Sequence, residues 1–232
     1  MLPQLSFKQD QLRYTRVQEA YQEKEITVKK YFSNKNLNYQ GFELFLRAFK
    51  AEEILELWVR EKGETTFTLL TSYPFCSSSG TLGPKRREGD LQIPEGIYEI
   101  AHFNPQSKFH LSLGINYPNK SDLLLSDKHR PGSEIYIHGN CVTIGCIPVS
   151  DDKIKELYIL ATEARNAGQS KIPVHIFPSR LTGETLQKLK ANYPDRSDLH
   201  EFWTNLKPVY KSFEDDRVVR SVRVDSRGKY YL

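Results

Sequence analysis

The apolar positions Leu44, Leu46 and Ala48, and after them Leu55, Leu57 and Val59, recur with a period of two, which predicts strands with one face buried. K-A-E-E and E-K-G-E supply the turns, so Phe42 to Phe75 reads as a meander of antiparallel strands. Ahead of it, Gln9 to Phe32 contains neither Gly nor Pro, and Leu12, Val17, Tyr21, Val28 and Phe32 recur near helical spacing. One long N-terminal helix with a weak apolar stripe is expected there. After the meander, SSSGTLGPKRREGDLQIPEG holds four Gly, two Pro and a basic cluster, and predicts a long surface loop leading into a strand from Ile97 to Ala101.

Further strands are expected at Phe109–Ile115 and Ile135–His138, separated by a polar loop carrying Asp122, Asp127, Lys128, His129 and Arg130. Ser150 followed by Asp151 and Asp152 is an N-cap with an acidic first turn, and it opens a helix whose Ile154, Leu157, Tyr158 and Ala161 share a face up to Gly168. A strand (Pro173–Phe177), a helix (Thr185–Asn192), an aromatic helix (Leu199–Phe213) and a hairpin turning at Asp225–Gly228 complete the pattern. Phe202, Trp203, Tyr210 and Phe213 fall at helical spacing and are read as core. The fold class is therefore α+β: a β-rich core with an N-terminal helix and C-terminal helices. The expected divisions are a helical extension over 1–40, a central domain over 41–180 that holds the β-rich core, and helical and hairpin elements over 181–232.

The chain has 232 residues, 38% of them hydrophobic and 27% charged, within the range of a folded globular protein and outside that of a disordered one. Thirty-three basic against 29 acidic residues leave +4, too weak a balance to argue for nucleic acid, though suited to an acidic polymer. The uncharged stretch from Ile135 to Ser150 is interrupted by Gly139, Gly145 and Pro148 and is no spanning helix. The N-terminus MLPQLSFKQDQLRYTRV lacks the apolar core of a secretory signal.

Candidate chemistry concentrates in IYIHGNCVTIGCIPVSDD. Cys146 stands just ahead of the capped helix, where the positive end of the dipole favours thiolate. His138 lies across a Gly-containing turn, placed to act as general base and then acid. Gly145 lets a substrate carbonyl approach the backbone N–H groups of Gly145 and Cys146 as an oxyanion hole. Other readings stand beside this one: a structural cysteine with a strand-end histidine; a zinc set of His138, Cys141 and Cys146 completed by Cys76 or His129; or a disulfide, with Cys76 and Cys141 as the preferred pair, that leaves Cys146 free.

His138-Gly139 followed by Thr143-Ile144-Gly145-Cys146 resembles the signature of the cysteine L,D-transpeptidases with a YkuD-type catalytic domain. LELWV, SSGTLGPKRREGDLQIPEGIYEI, LGINYPN and FWTNLKPVYKSFE resemble the YafK-like branch, so the likeness extends from about Phe42 to Asp215. It implies a β-rich YkuD-like sandwich and a reaction in which Cys146 attacks the carbonyl of the third residue of a peptidoglycan stem peptide, usually meso-diaminopimelate, and forms a thioester. His138 is implied as base, oriented by a backbone carbonyl, with Gly139 and Thr143 shaping the site. An amine acceptor gives a cross-link or an attached protein, and water gives hydrolysis.

Many YkuD-type enzymes carry a second His before Gly-Cys and an Arg soon after; Ile144 and Pro148 stand there in this chain, and the His138 to Cys146 spacing is short. Both features match the YafK-like branch, which is implied to include hydrolases that detach lipoprotein from peptidoglycan. Stem peptides and wall-linked lipoprotein are the implied partners, no metal or other cofactor is expected, and the cell envelope or periplasm is the expected location, reached through an export signal absent from this sequence. Lys85 and Arg87 are expected to bind substrate carboxylates, with Asp90 ordering their loop. Tyr136 is read as a strand residue and Tyr117-Pro118-Asn119 as a turn.

Overall fold

A computed structural model describes residues 5–232 of the chain. The N-terminal helical segment is two helices, α1 (Phe7–Gln11) and α2 (Thr15–Ser33), where the apolar spacing predicts one. A capping box between Ser6 and Gln9 starts the first, and the break at residues 12–14 turns the chain so that Gln11 is buried and accepts the Tyr158 hydroxyl at 2.6 Å. Val17, Tyr21, Val28 and Phe32 form the buried stripe, as their spacing predicts.

The meander follows as β1 (Phe42–Phe49), β2 (Ile54–Glu61) and β3 (Thr68–Pro74). The chain continues through β4 (Gly96–Asn104), β5 (Ser112–Ile115), α3 (Lys120–Leu125), β6 (Tyr136–His138), β7 (Ile147–Pro148), α4 (Asp151–Asn166), β8 (Pro173–Phe177), α5 (Gly183–Asn192) and α6 (Ser197–Asp216), and ends in the β9 (Arg223–Val224) and β10 (Tyr230–Tyr231) hairpin. The expected α+β class is the one observed. One mixed sheet, in the order β3-β2-β1-β8-β4-β5-β6-β7, curls as a half-barrel with helices against it. β4 makes the corner: Gly96 to Glu99 pair with β8, Ile100 to Asn104 pair with β5, and the register shifts between Ile100 and His102.

Alternation along β1 sorts the two faces. Leu44, Leu46 and Ala48 join the core under α2 and α4, whereas Phe45 and Phe49 face the opposite side, where the aromatic residues of α6 pack. Phe202, Trp203, Tyr210 and Phe213 are core residues there, as expected. Fully buried Arg47 shares that face, 2.6 Å from Glu214 Oε1, with its guanidinium over the Phe213 and Tyr210 rings. At the end of β1, buried Lys50 donates to the carbonyls of Gly83 and Ile93 and meets Glu95 Oε1 at 3.0 Å. Glu95 in turn accepts Gly83 N–H and, at 2.8 Å, Trp203 Nε1–H. Both charges and the indole are thus satisfied, and the Gly-rich loop is anchored to the sheet and to α6 at once.

The polar loop after β5 contains α3, which was not expected: Asn119 and Asp122 cap its start reciprocally, so residues that read as loop polars are a helix N-terminus. The strand expected from Phe109 begins only at Ser112, because His110 at φ 69° breaks the extended run. Among the described residues no helix is long and apolar enough to cross a membrane.

Candidate active site

β6 and β7 run parallel, with Ile137 opposite Ile147 and His138 opposite Pro148. One step back in that register sets Cys146 beside Tyr136. Tyr136 and His138, two apart on β6, share a face, and Cys146 stands immediately ahead of β7 with its Sγ at the Tyr136 N–H. The return of the chain through β7 is what sets Cys146 beside the strand that carries His138.

Cys146 is the free cysteine of the chain and is half-buried. Its Sγ accepts the Tyr136 N–H at 3.4 Å and lies 3.8 Å from the Glu134 carbonyl. The expected helix-dipole activation is not how the thiol is placed: β7 intervenes before α4, whose Lys153 N–H is capped by Ser150 Oγ. Burial pushes the thiol above its ordinary pKa, and the Tyr136 N–H and the nearby Lys85 ammonium pull the other way. The resting sulfur is therefore a thiol, and attack requires a base.

The imidazole of His138 is the candidate for that role. It is buried, its Nδ1–H donates to the Gly139 carbonyl at 2.5 Å, and this bond leaves Nε2 as the unprotonated nitrogen of a neutral ring. Burial lowers its pKa below the ordinary histidine value, with the Gly139 carbonyl working against that shift. The ring of Phe109, a residue that sequence reasoning treated only as part of a strand, covers the imidazole with centroids 4.7 Å apart. The imidazole is not hydrogen-bonded to Sγ here, whose contacts are those of Tyr136 and Glu134; such bonds commonly tighten only when substrate is bound.

The turn between them is held by Thr143, whose Oγ1 accepts Gly145 N–H at 3.1 Å and Cys146 N–H at 2.8 Å while donating to the Cys146 carbonyl. This corrects the expected oxyanion hole: both donors are turned onto the threonine hydroxyl, so an acyl oxygen must compete with it for them. Gly145 is also required for a different reason. At φ 136° its position would bring a Cβ to 3.0 Å from the Gln92 carbonyl, so the close approach is made by the protein's own backbone. At Gly139 a Cβ would lie 2.5 Å from Asp151 Oδ1, which accepts the neighbouring Asn140 N–H.

Cys76 and Cys141 form a disulfide with Cα atoms 5.2 Å apart, the pair preferred from sequence. Two sulfurs of the zinc reading are thereby removed as ligands. The bridge, with Cys76 N–H donating to the Pro148 carbonyl at 3.0 Å, ties the catalytic turn to the end of β3.

Lys85 and Arg87 part company. Lys85 is buried, 2.6 Å from Asp90 Oδ1, and donates to the Arg87 carbonyl, so it is not the solvent-facing carboxylate ligand that was expected. Arg87 is exposed. Asp90 orders the loop as expected, accepting the backbone N–H groups of Arg86, Arg87 and Gln92; burial works to raise its pKa, but Lys85 and these donors hold it below the usual carboxylate value. The position of Lys85 yields a prediction: Lys85→Gln removes a charge that favours thiolate, so iodoacetamide alkylation of Cys146 should slow severalfold at fixed pH and its profile move upward. An unchanged profile would show that the charge does not reach the sulfur.

The L,D-transpeptidase catalytic domain model, YkuD, matches residues 50–176. YafK of Escherichia coli (strain K12), whose name places it among the L,D-transpeptidases, is 35% identical over 194 residues, covering 83% of this chain and 74% of the relative. Among solved structures, the helical cell shape determining protein Pgp2 of Campylobacter jejuni aligns with a TM-score of 0.48 at 17% identity, over 85% of this chain and 80% of that one. Bd1075 of Bdellovibrio bacteriovorus aligns with a TM-score of 0.42 at 23% identity, over 74% of this chain and 62% of that one. The matched segment holds the β6–β7 edge with His138 and Cys146, and the likeness to YafK runs through most of the chain: this protein belongs to the YkuD family of L,D-transpeptidase catalytic domains.

Proposed function

We propose that the protein is a cysteine acyl-transfer enzyme of the bacterial cell envelope acting on peptidoglycan stem peptides. The observation that carries this reading is a half-buried free thiol at Cys146 held against β6, the strand that carries His138, whose Nδ1–H is anchored by the Gly139 carbonyl. His138 Nε2 takes the thiol proton as Sγ attacks the carbonyl of the third stem residue, meso-diaminopimelate. The tetrahedral intermediate collapses to a thioester, the bond to the following residue breaks, and the imidazolium returns the proton to the departing amine. An amine acceptor, or water, then attacks the thioester with the same histidine as base. Nothing in this scheme calls for a metal or an organic cofactor.

The acceptor decides between transpeptidation and hydrolysis, and the products of diaminopimelate-containing muropeptides, plain and protein-linked, read it directly by mass spectrometry. Cross-linked dimers identify a transpeptidase, tripeptide alone a carboxypeptidase, and release of the linked protein, such as a wall-bound lipoprotein, an amidase. An unchanged muropeptide pool sinks the enzymatic reading in favour of a wall-binding module.

A further inference from the structure

A groove of about 550 Å³ lies where the Gly-rich loop, the first turns of α6 and the β9–β10 hairpin meet. Its floor is apolar, with Leu82, Leu199 and Phe202, and one end is Gln92. That residue has two faces. Its carbonyl backs Gly145, and its side chain bonds Thr81 on the groove wall through Oε1 at 3.1 Å and Nε2 at 3.0 Å. Gln92 thus lines the groove and, through its carbonyl, meets the turn that carries Cys146.

The charges on the groove are unevenly spent. Arg196 is paired with Asp198 at 2.7 Å, and Lys229 with Glu201 at 2.6 Å. Arg86 Nη1 is buried 3.6 Å from Asp122 Oδ1, and the rest of the guanidinium lies over the Phe202 ring on the groove lining. Arg227 reaches Asp225 only at 3.8 Å and leaves 77% of its side chain exposed. Two guanidiniums on the lining, Arg227 largely exposed and Arg86 partly so, beside apolar Leu82, Leu199 and Phe202 fit a peptide that carries carboxylates next to small apolar side chains.

We propose that this groove is a substrate subsite that holds the non-reacting, carboxylate-bearing part of the stem peptide, with Arg86 and Arg227 as its carboxylate ligands. The assignment rests on the stem-peptide reading above and locates carboxylate recognition away from Lys85, which is buried and already paired.

The test is equilibrium binding of a synthetic L-Ala-γ-D-Glu-meso-diaminopimelyl-D-Ala tetrapeptide, and of the same peptide with its carboxylates amidated, to the full chain carrying Cys146→Ala, so that no turnover intrudes. Arg227→Gln should weaken the acidic peptide about threefold and the Arg86→Gln/Arg227→Gln pair at least tenfold, while the amidated peptide binds equally weakly to all. Because Arg86 is half-buried, the far-UV spectrum and unfolding midpoint of the pair must match the parent, and exposed Arg227 serves alone if they do not. Affinity unchanged by Arg227→Gln, or no binding of the acidic peptide to the parent, overturns the subsite. Failure of the catalytic reading shows separately, as muropeptide turnover that does not depend on Cys146.

Discussion

Cys146→Ala should abolish turnover of muropeptides, a fall of roughly 10⁶-fold on the scale seen when an enzyme loses its nucleophile, and leave the fold standing. The sulfur makes one long contact to the Tyr136 N–H and one to the Glu134 carbonyl, so its loss costs at most about 1 kcal/mol of stability. His138→Gln should lower the rate by about 10²–10⁴-fold, the usual contribution of a positioned general base. The pH profile separates the two residues. A base works deprotonated, so wild-type activity rises with pH through the His138 pKa, which burial places below the ordinary histidine value, and levels off at a lower pH than an ordinary histidine would give. Burial holds the thiol above its ordinary value, so the resting pair at neutral pH is thiol plus neutral imidazole, and the proton moves during attack. In His138→Gln the acid limb should vanish and the residual rate climb into the alkaline range as thiolate forms unaided. Retention of the acid limb in that variant would show that another group is the base, and near-wild-type turnover in Cys146→Ala would end the cysteine mechanism.

Much of this arrangement was legible in residues whose signals are local. The period-two runs of β1 and β2 marked their own pairing, Ser150 with its acidic successors marked α4, and the Asp225–Gly228 turn marked the last hairpin. His138 and Cys146 stood out by residue type and spacing, and Cys76 with Cys141 as the remaining pair. What did not show depends on partners far along the chain. β7 is two residues, Ile147 and Pro148, and is a strand only because β6 lies beside it. The break between α1 and α2 answers to Tyr158 on α4, well over a hundred residues away. Lys85 looks like any loop lysine until Asp90 and the Arg87 carbonyl close around it, and Thr143 gives no sign in sequence that it will occupy the N–H groups a substrate oxygen would use. Arg86, between two residues chosen for their charge, is singled out only by the groove it faces.

Breaking the Cys76–Cys141 bridge should damage both stability and catalysis, the second beyond what the first explains. The bridge closes a loop of 65 residues, and loop-closure entropy assigns such a link about 4 kcal/mol, or a fall of about 10 °C in melting temperature for a chain of this size. The local consequence follows from where Cys141 sits, inside the turn between base and nucleophile. Without the bridge that turn keeps the Thr143 hydroxyl contacts, the Gly139 N–H bond to the Leu111 carbonyl and the Asn140 N–H bond to Asp151 at the start of α4, none of which reaches the β3-β2-β1 side of the sheet. Its covalent tie to the end of β3, and through it to the β3-β2-β1 side of the sheet, is gone. A near-attack geometry tolerates little drift, and about 1 Å of misplacement costs on the order of 10²-fold in rate. The Cys76→Ser/Cys141→Ser variant, assayed well below its own melting temperature, should therefore lose one to two orders of magnitude in turnover while Cys146 still alkylates. A melting temperature and a rate both equal to those of the parent would show that the bridge holds nothing that the hydrogen bonds do not already hold.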